Sequence, residues 1–249
     1  SGSFPRHYDK IILDKVDSTN AHAARVASKL NRPTWILGLK QTDGRARRGR
    51  KWFYSDGNFA ATLVLFAQEA PETLALRSFV TSLALFETLR LITGRSNLFS
   101  LKWPNDVLLK GGKMAGILLE TLSLGVDKNA LAIGVGVNLI AAPNASQIEP
   151  NAAPSTSLFA TTGIKITPEQ FLNYFAECYA TREAEFVSHG FQPIRKAWLD
   201  QAARLGESIT ARFPNSEISG RFDTIDEKGH LVLKTTQGKE TIAAADVFF

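Results

Sequence analysis

The stretch "LKWPNDVLLKGGKMAGILLE", residues 101–120, holds two short apolar runs on either side of a glycine pair. Gly111 and Gly112 predict a two-residue turn that joins two antiparallel strands into a hairpin. The cross-strand pairs expected from that turn are Lys110–Lys113, Leu108–Ala115 and Asp106–Ile117. Because side chains alternate along a strand, this register places Asp106 and Lys113 on one face of the hairpin.

The polar residues of this hairpin allow a functional and a structural interpretation. Pro104 fixes the backbone just before Asn105 and Asp106, which favours placement of both polar side chains at a site. "PND" is also an ordinary turn signal, and lysines on a hairpin also keep an exposed sheet edge soluble. The hairpin by itself leaves both interpretations open.

Strand and helix patterns continue on both sides of the hairpin. Strands are predicted at residues 10–13, 35–40, 59–67, 107–109, 114–121 and 130–140. Helices are predicted at residues 17–30, 71–94, 167–189, and around Trp198 as far as Gly206. Residues 141–162, rich in Ala, Pro, Asn, Ser and Thr, are predicted to form a long irregular connection.

The texture of the chain changes near residue 206. From Ser208 onward, short β-rich runs alternate with the turn signals Pro214-Asn215, Lys228-Gly229 and Gln237-Gly238, as in a small barrel. We therefore predict an α+β chain of two domains, residues 1–206 with a mixed or antiparallel sheet and residues 207–249 with a small β-barrel.

A second informative stretch is "QTDGRARRGRKWFYSDGN", residues 41–58; its first eleven residues, 41–51, are called the basic loop below. The loop holds five cations and one acid, a local net charge of +4 out of +5 for the whole chain. Binding along a nucleic-acid duplex needs a broad positive face. A charge concentrated in one loop suits a small polyanion better.

Several features of the basic loop favour a ligand site over a solvated surface run, which is the alternative. Gly44 and Gly49 let the backbone approach a ligand closely, and Trp52 offers a flat face for stacking. Arginine forks match the geometry of phosphate oxygens. Only Asp43 and Asp56 lie nearby in sequence as neutralising partners, so we expect most of the arginine charge to lack an internal partner. Because the five like charges repel one another without a ligand, we expect a mobile loop that becomes ordered around an anion.

Two other motifs each have two interpretations. In "AIGVGVNLI", residues 132–140, Gly134, Gly136 and Asn138 share one strand face. That face forms either a trough for a flat ligand or a surface for close helix packing. In "DSTN", residues 17–20, the side chains either cap a helix or accompany backbone donors that bind a small polar group.

Composition excludes several classes of protein. The content of 44% hydrophobic and 21% charged residues is ordinary for a globular chain. No apolar run approaches the roughly 18 residues of a membrane span, and charged residues interrupt the stretch where a signal peptide would lie. The single cysteine, Cys178, favours a reducing compartment such as the cytoplasm. The four histidines show no metal-ligand spacing.

Taken in order, "DSTN", "QTDGRARRGRKW", "KWPNDV", "GGKMAGILLE" and "GVGVNL" closely resemble the motifs of biotin protein ligases, also called holocarboxylase synthetases. The similarity extends over nearly the whole chain, including the C-terminal β-rich part. It implies a catalytic domain similar to the core of class II aminoacyl-tRNA synthetases, followed by an SH3-like barrel.

The resemblance implies a two-step ligase. ATP and biotin would form biotinyl-5′-AMP and pyrophosphate, and the adenylate would then acylate one lysine of a biotin carboxyl carrier domain, such as that of acetyl-CoA carboxylase. Mg²⁺ would arrive with ATP, near Asp106, without a resident metal site. The implied protein is cytoplasmic, a monomer or homodimer, with no nucleic acid or membrane as partner.

The resemblance also implies roles for individual residues. Catalysis is assigned to Lys113, Arg47 and Asp106. The biotin pocket is assigned to Ser18, Thr19, Gln41, Gly44 and Arg45, with Gly134 and Gly136 beside it, and Asn20, Gly116 and Ile117 are further ligand-binding residues. Nucleotide contacts are assigned to Arg47, Arg48 and Arg50 for the phosphates, Trp52 and Asn138 for adenine, and Lys113 for both the carboxylate and the α-phosphate.

Three departures from the family pattern limit these assignments. Ala46 stands where glycine is usual, so a positive φ at this position would strain the loop. Few residues precede the first motif, so the helix-turn-helix of repressor-type members, and operator binding with it, is not expected. The ending "AADVFF" holds no arginine, which puts a nucleotide contact from the last strand in doubt.

Three other functions compete with this interpretation. A lipoate- or octanoate-transferring ligase of the same fold is disfavoured by the arginine-rich loop and by "KMAGILLE". A nucleic-acid binder with a β-barrel module is disfavoured by the concentration of charge in one loop. A catalytically inactive regulator is disfavoured because the polar motif residues are all present.

Overall fold

Two sheets organise the chain in a computed structural model, which describes residues 3–150 and 152–249. The larger sheet has the strand order β1-β2-β3-β7-β6-β5-β4. Strands β1 and β2 run parallel, and the other neighbours in this sheet run antiparallel. Its strands are β1 (Asp9–Leu13), β2 (Thr34–Gly38), β3 (Phe59–Leu65), β4 (Phe99–Lys102), β5 (Asp106–Leu109), β6 (Gly112–Gly125) and β7 (Lys128–Val137). The predicted mixed sheet is confirmed.

Helices cover both faces of this sheet. They are α1 (Thr19–Val26), α2 (Pro71–Ala75), α3 (Arg77–Thr93), α4 (Leu158–Thr162), α5 (Pro168–His189) and α6 (Phe191–Leu199). On one face, α3 and α5 pack over a large apolar core that includes Trp35, Phe59 and Phe175. On the other face, Ala23 of α1 and Ala27, the residue that follows this helix, pack on Ile36, Val64, Ala130 and Ala132. Because α1 is short, part of this second face stays uncovered beyond its N-terminus.

The C-terminal residues form a second sheet with the strand order β11-β10-β9-β8-β12. Its antiparallel strands are β8 (Ser208–Arg212), β9 (Glu217–Ile225), β10 (Leu231–Thr235), β11 (Gly238–Ile242) and β12 (Asp246–Phe248). The indole of Trp103 donates to the carbonyl of Gly229 at 3.0 Å, which ties this sheet to the larger one. The predicted α+β fold with a small C-terminal β unit is confirmed.

The hairpin exists as predicted, but its turn and register were predicted wrongly. Lys110 and Gly111, with φ of 48° and 81°, occupy the turn. Two consecutive positive φ angles are the geometry that hairpin turns of this length favour. Gly112 therefore starts β6 opposite Leu109, and the observed pairs are Leu108–Lys113, Val107–Ala115 and Asp106–Gly116. The register shifts between the first two pairs, so that Met114 forms a bulge.

Most other predicted elements agree with the structure to within a few residues. Ser18 caps α1, and a capping box at Thr167 and Gln170 starts α5, as predicted. The predicted helix at residues 71–94 divides into α2 and α3 at Leu76. The short strand β4 and helix α4 were missed, and α6 ends at Leu199 rather than near Gly206. Asn151, within the predicted connection, lies outside the described residues. Of the described helices, none is long and apolar enough to cross a membrane.

Candidate active site

A cavity of about 590 Å³ opens on the sheet face that α1 leaves uncovered. The basic loop, residues 147–150 and 152–153, and strand β12 enclose it. Fifteen of the residues singled out from sequence line it: Ser18, Thr19, Asn20, Gln41, Arg45, Arg47, Arg50, Trp52, Asp106, Lys113, Gly116, Ile117, Gly134, Gly136 and Asn138. Gly44 and Arg48 do not line the cavity. Motifs spread over about half of the chain thus meet at one place.

One end of the cavity is built from neutral polar groups that bond to one another. The backbone N–H of Thr19 donates to Gln41 Oε1 at 3.0 Å. The hydroxyl of Thr62 on β3 lies 2.8 Å from Thr19 Oγ1 and 2.5 Å from Asn20 Oδ1. All four residues are buried. Because each side chain is held by a neighbour on a helix or strand, this polar end is rigid before any ligand arrives.

The amide of Asn20 extends this polar end to the hairpin. Its Nδ2 donates to Glu120 Oε1 on β6 at 2.8 Å, and Arg45 of the basic loop reaches the same oxygen at 3.0 Å. Glu120, the last residue of the "KMAGILLE" motif, was not assigned to the site from sequence. It joins the polar end of the cavity to the base of the basic loop.

The glycine face of β7 holds the protein's own side chains. A Cβ atom on Gly134 would collide with the amide of Asn20, and one on Gly136 would collide with the indole of Trp52. Of the two alternatives for this face, the open trough is absent, because Asn20 and Trp52 fill it. Close helix packing holds at Ala132 and Gly134, which meet α1, whereas Gly136 meets Trp52 of the loop. The two glycines instead set how deeply a polar and an aromatic side chain enter the cavity.

Gly44 has a similar role behind the cavity wall. A Cβ on this residue would lie 2.5 Å from the side-chain nitrogen of Gln41 and 3.1 Å from the carbonyl of Trp52. Gly44 therefore lets Gln41 turn back toward Thr19 while Trp52 N–H donates to the Gly44 carbonyl at 2.9 Å.

The hairpin places a cation in the lining of the cavity. Lys113 Nζ lies 3.2 Å from Asp106 Oδ1 and 5.5 Å from the centroid of the Trp52 ring. The same-face prediction for Asp106 and Lys113 is confirmed despite the changed register. The Lys113 N–H donates to the Pro154 carbonyl, and the Lys113 carbonyl accepts from the Thr156 N–H. The start of β6, which carries the ammonium group, is therefore held by this segment.

The basic loop folds back on itself as a tight turn. Ala46 N–H donates to the Arg50 carbonyl at 2.8 Å, and Arg45 bridges to Lys51. Arg48 and Gly49 adopt positive φ angles of 58° and 70°, whereas Ala46 is extended with φ of −119°. The two residues in the left-handed region therefore lie after Ala46 in the chain. Ala46 itself is extended, so alanine causes no backbone strain in this conformation.

Acids distant in sequence neutralise the arginines of this loop. The carboxylate of Asp246 on β12 lies 3.2 Å from Arg47, 2.9 Å from Arg48 and 3.0 Å from Arg50. Arg50 also reaches Glu149 at 3.2 Å. The expectation that the charge lacks partners beyond Asp43 and Asp56 was therefore wrong. Pairs separated by about 100 to 200 residues leave no local sequence signal.

The electrostatics of the cavity favour an anion. Among the described residues, its lining holds six cationic side chains against three carboxylates: Arg45, Arg47, Arg50, Lys51, Lys102 and Lys113 against Asp106, Glu149 and Asp246. Burial lowers the pKa of Arg47 and of Lys102, and nearby carboxylates of Asp106 and Asp246 act in the opposite direction. Lys102 was quoted within "KWPNDV" but not assigned to the site.

Two buried amides of the cavity lining present acceptors without partners among the described residues. They are Asn105 Oδ1 and Asn138 Oδ1. The other atom of each amide is engaged, since Asn105 Nδ2 donates to the Ile117 carbonyl and Asn138 Nδ2 to the Thr156 carbonyl. A buried acceptor without a donor is costly. A ligand with an amino group would supply a donor at Asn138, which lines the cavity.

The described part of the chain shows no cluster of three or more His, Cys, Asp or Glu residues that could hold a metal ion. The carboxylates at the cavity stand apart, and each faces a lysine or arginine. This arrangement fits a cation that enters bound to a phosphate ligand, because Mg²⁺ takes one or two carboxylates plus phosphate oxygens.

Comparisons with known proteins agree with this geometry. The biotin/lipoate A/B protein ligase family matches residues 12–138, and the biotin protein ligase C-terminal domain matches residues 205–249. A biotin–acetyl-CoA-carboxylase ligase of Paracoccus denitrificans is 47% identical over 238 residues, covering 96% of this chain and 99% of that protein. The bifunctional ligase/repressor BirA of Bacillus subtilis is 31% identical and is matched over 73% of its length by 95% of this chain.

A solved structure has the same fold. The biotin protein ligase from Aquifex aeolicus, in complex with biotin and ATP, superposes with a TM-score of 0.82 at 26% identity. The match covers 96% of this chain and 98% of that chain.

Proposed function

This chain belongs to the biotin protein ligase family, and from that premise we propose that it is an ATP-dependent enzyme that attaches biotin to a carrier protein. In the first step it forms biotinyl-5′-AMP and releases pyrophosphate. In the second step it transfers the biotinyl group to a lysine of a biotin carboxyl carrier domain, as in acetyl-CoA carboxylase. The names of its relatives support biotin and ATP as ligands and acetyl-CoA carboxylase as acceptor.

One observation carries the proposal most directly. Lys113 lines one cavity together with the buried polar residues Thr19, Asn20 and Gln41, which form its polar end, and with the arginines of the basic loop, which form its cationic end. The polar end suits an uncharged bicyclic ring with hydrogen-bonding groups, and the cationic end suits phosphates. A carboxylate on the first ligand would then meet a phosphate of the second beside the Lys113 ammonium group.

The first step faces repulsion between anions. The biotin carboxylate is ionised at neutral pH, so it attacks the α-phosphorus without a base, and pyrophosphate leaves with the bonding electron pair. Negative charge accumulates on the phosphoryl oxygens in the transition state. At an effective dielectric constant of about 20, one unit-charge pair at 4 Å is worth about 4 kcal/mol. Two or three fixed cations therefore outweigh any acid–base contribution to this step.

The family resemblance and the cavity lining together support the following roles for individual residues, and those of Gly44 and Arg48, which lie outside the lining, rest on the resemblance alone. Ser18, Thr19, Asn20, Gln41 and the base of the loop at Gly44 and Arg45 form the biotin end, with Gly134 beside them. Lys113 contacts the carboxylate and the α-phosphate, and Asp106 orients its ammonium group at 3.2 Å. Arg47, Arg48 and Arg50 hold phosphates, and Trp52 and Asn138 contact adenine, with Asn138 Oδ1 as the acceptor for its amino group. Gly116, Ile117 and Gly136 shape the wall between the two ligands.

In the second step, a bond from the acyl carbon to nitrogen forms and the bond from the acyl carbon to the AMP oxygen breaks. The neutral amine of the acceptor lysine attacks the acyl carbon, AMP leaves with the electron pair of the acyl–oxygen bond, and the amine loses a proton. The cations that stabilised adenylate formation also stabilise AMP as leaving group.

Residues 1–206 are assigned to this catalysis and residues 207–249 to the C-terminal β domain. Mg²⁺ enters as part of the MgATP substrate, and the single cysteine supports a cytoplasmic location.

Biotin-dependent exchange of labelled pyrophosphate into ATP, followed by transfer to a purified carrier domain, tests the proposal. We expect exchange that requires both biotin and ATP, and acylation of one carrier lysine detected by mass spectrometry. A competition between biotin and lipoate or octanoate separates the related ligases. Exchange driven by lipoate and not by biotin would contradict the proposal.

A further inference from the structure

Asp246 has a position that the family resemblance does not explain. It starts β12 in the C-terminal sheet, yet its carboxylate faces the basic loop, 196 to 199 residues away in sequence. Three guanidinium groups, from Arg47, Arg48 and Arg50, lie within 3.2 Å of its two oxygens. The Asp246 side chain is 15% exposed, less than any of these arginines. This single carboxylate thus connects the second sheet to the cationic end of the cavity.

The conformation of the loop matches this contact. Arg48 holds a positive φ of 58°, which costs energy for a residue with a side chain. That angle and the adjacent Gly49 turn the backbone so that Arg48 and Arg50 reach the same oxygen of Asp246 while Arg47 reaches the other. Without a counter-anion, three guanidinium groups at this spacing repel one another, and the loop would open.

We propose that Asp246 is a positioning residue that holds the basic loop over the cavity in two states of the enzyme. The first is the state before ATP binds, and the second is the state after pyrophosphate leaves, when the adenylate remains. The second half of the inference, which concerns the enzyme after pyrophosphate leaves, rests on the proposed function. A triphosphate brings enough negative charge to arrange the arginines by itself. The acyl adenylate keeps a single phosphoryl charge, so the loop then needs an internal anion to stay closed and exclude water.

The first half can be tested without any ligand. Trypsin cleaves after the lysine and arginine residues of the basic loop when the loop leaves the cavity. We expect Asp246→Asn to raise the rate of cleavage within residues 47–51 about tenfold, because one charged partner of a closely spaced cluster is removed. Asp223→Asn is the matched control, since Asp223 contacts Lys234 and Lys239 in the same sheet and lies outside the cavity. Asp246→Glu, which keeps the charge, should restore protection in part.

The second half is measured on the loaded enzyme. After adenylate is formed from biotin and labelled ATP and pyrophosphate is removed, Asp246→Asn should release labelled adenylate about tenfold faster than the wild type and Asp223→Asn. Thermal unfolding of the three proteins checks that the C-terminal sheet stays folded. If Asp246→Asn merely loosened the C-terminal sheet, the midpoint of thermal unfolding would fall. In that case Asp246→Glu would not restore the slow release of adenylate.

The outcomes separate this inference from the proposed function. Equal loop cleavage in Asp246→Asn and wild type overturns the inference, whatever the exchange assay gives. Cleavage that rises equally in Asp223→Asn overturns it as well. Faster loop cleavage with unchanged adenylate release overturns the part that concerns the loaded enzyme. A wild-type protein without any pyrophosphate exchange contradicts the proposed function and leaves the cleavage result to decide the role of Asp246 before ATP binds.

Discussion

The two ends of the cavity are built in opposite ways. At the proposed biotin end, buried neutral groups of Thr19, Gln41 and Thr62 bond to one another, and Asn20 connects them to the carboxylate of Glu120 on β6. At the proposed phosphate end, guanidinium groups on a loop pair with carboxylates on other segments, and the arginine side chains stay about one-third exposed or more. The first end is fixed by packing, whereas the second is held by charges that a ligand can replace.

This difference reflects what each ligand demands. An uncharged ring gains little from long-range electrostatics, so selectivity at the biotin end comes from preorganised hydrogen bonds and shape. A polyphosphate can exchange places with the carboxylates that hold the arginines, because the net charge of the lining is positive even with these acids counted. Substitutions at the two ends should therefore affect different kinetic parameters.

The largest effect is expected at the point where the two ends meet. Lys113→Ala removes the ammonium group between the carboxylate and the α-phosphate, so adenylation should slow by about 100-fold or more. Biotin-dependent pyrophosphate exchange measures this step. Lys110→Asn, in the exposed turn of the same hairpin, is the control, since asparagine tolerates the positive φ of that position. Near-normal exchange in Lys113→Ala would refute the central role of this lysine.

Arg47 should come next, because it lies deepest among the three arginines that contact Asp246. Arg47→Ala should slow adenylation by about 100-fold by removing charge stabilisation. Arg47→Gly should in addition leak free adenylate, since the loop closes poorly. The rate of pyrophosphate exchange measures adenylation, and free adenylate that passes a protein-retaining filter measures leakage. Arg221→Ala on β9 is the control. If no free adenylate is detected with Arg47→Gly, the loop does not act as a lid.

A pair of substitutions on one strand separates the two ends. Gly134→Ala would displace Asn20, and Gly136→Ala, two residues along β7, would displace Trp52. We expect about a tenfold rise in the KM for biotin from the first and in the KM for ATP from the second, because each added methyl overpacks one contact. Each variant serves as the control for the other. Equal effects on both KM values in both variants would show that the ends are not independent.

The smallest effect is expected from salt. Raising the ionic strength from about 0.05 M to 0.5 M shortens the screening length severalfold, which weakens partly exposed ion pairs. The KM for ATP should therefore rise by a few-fold while the KM for biotin changes little. Steady-state kinetics at matched pH measure both values. An equal salt dependence for the two substrates would contradict the division of the cavity into a neutral and a charged end.

Sequence reasoning succeeded where local chemistry decides the structure. Helix caps at Ser18 and Thr167 and the hairpin with Asp106 and Lys113 on one face follow from short-range rules. It failed where distant residues decide. The bulge at Met114 is a feature of strand pairing, and the occupants of the glycine face, Asn20 and Trp52, come from other segments.

The same limit explains the error about the basic loop. Its charge suggested an anion site, and the cavity lining agrees with that interpretation. Its internal partners, Asp246, Glu149 and Glu120, lie 75 or more residues away and carry no motif that marks them as its neighbours. The sequence could therefore suggest an anion as the ligand of the loop, but not the carboxylates that pair with its arginines in the structure.

A crystal structure with biotinyl-5′-AMP bound tests the central claim most directly. The account predicts that the tips of Arg47 and Lys113 lie within about 4 Å of the phosphoryl oxygens, at the range where unit charges interact strongly, with the biotinyl ring against Thr19, Asn20 and Gln41. If these cationic groups instead point into bulk solvent while the adenylate is bound, the charges do not act in activation and the account is contradicted.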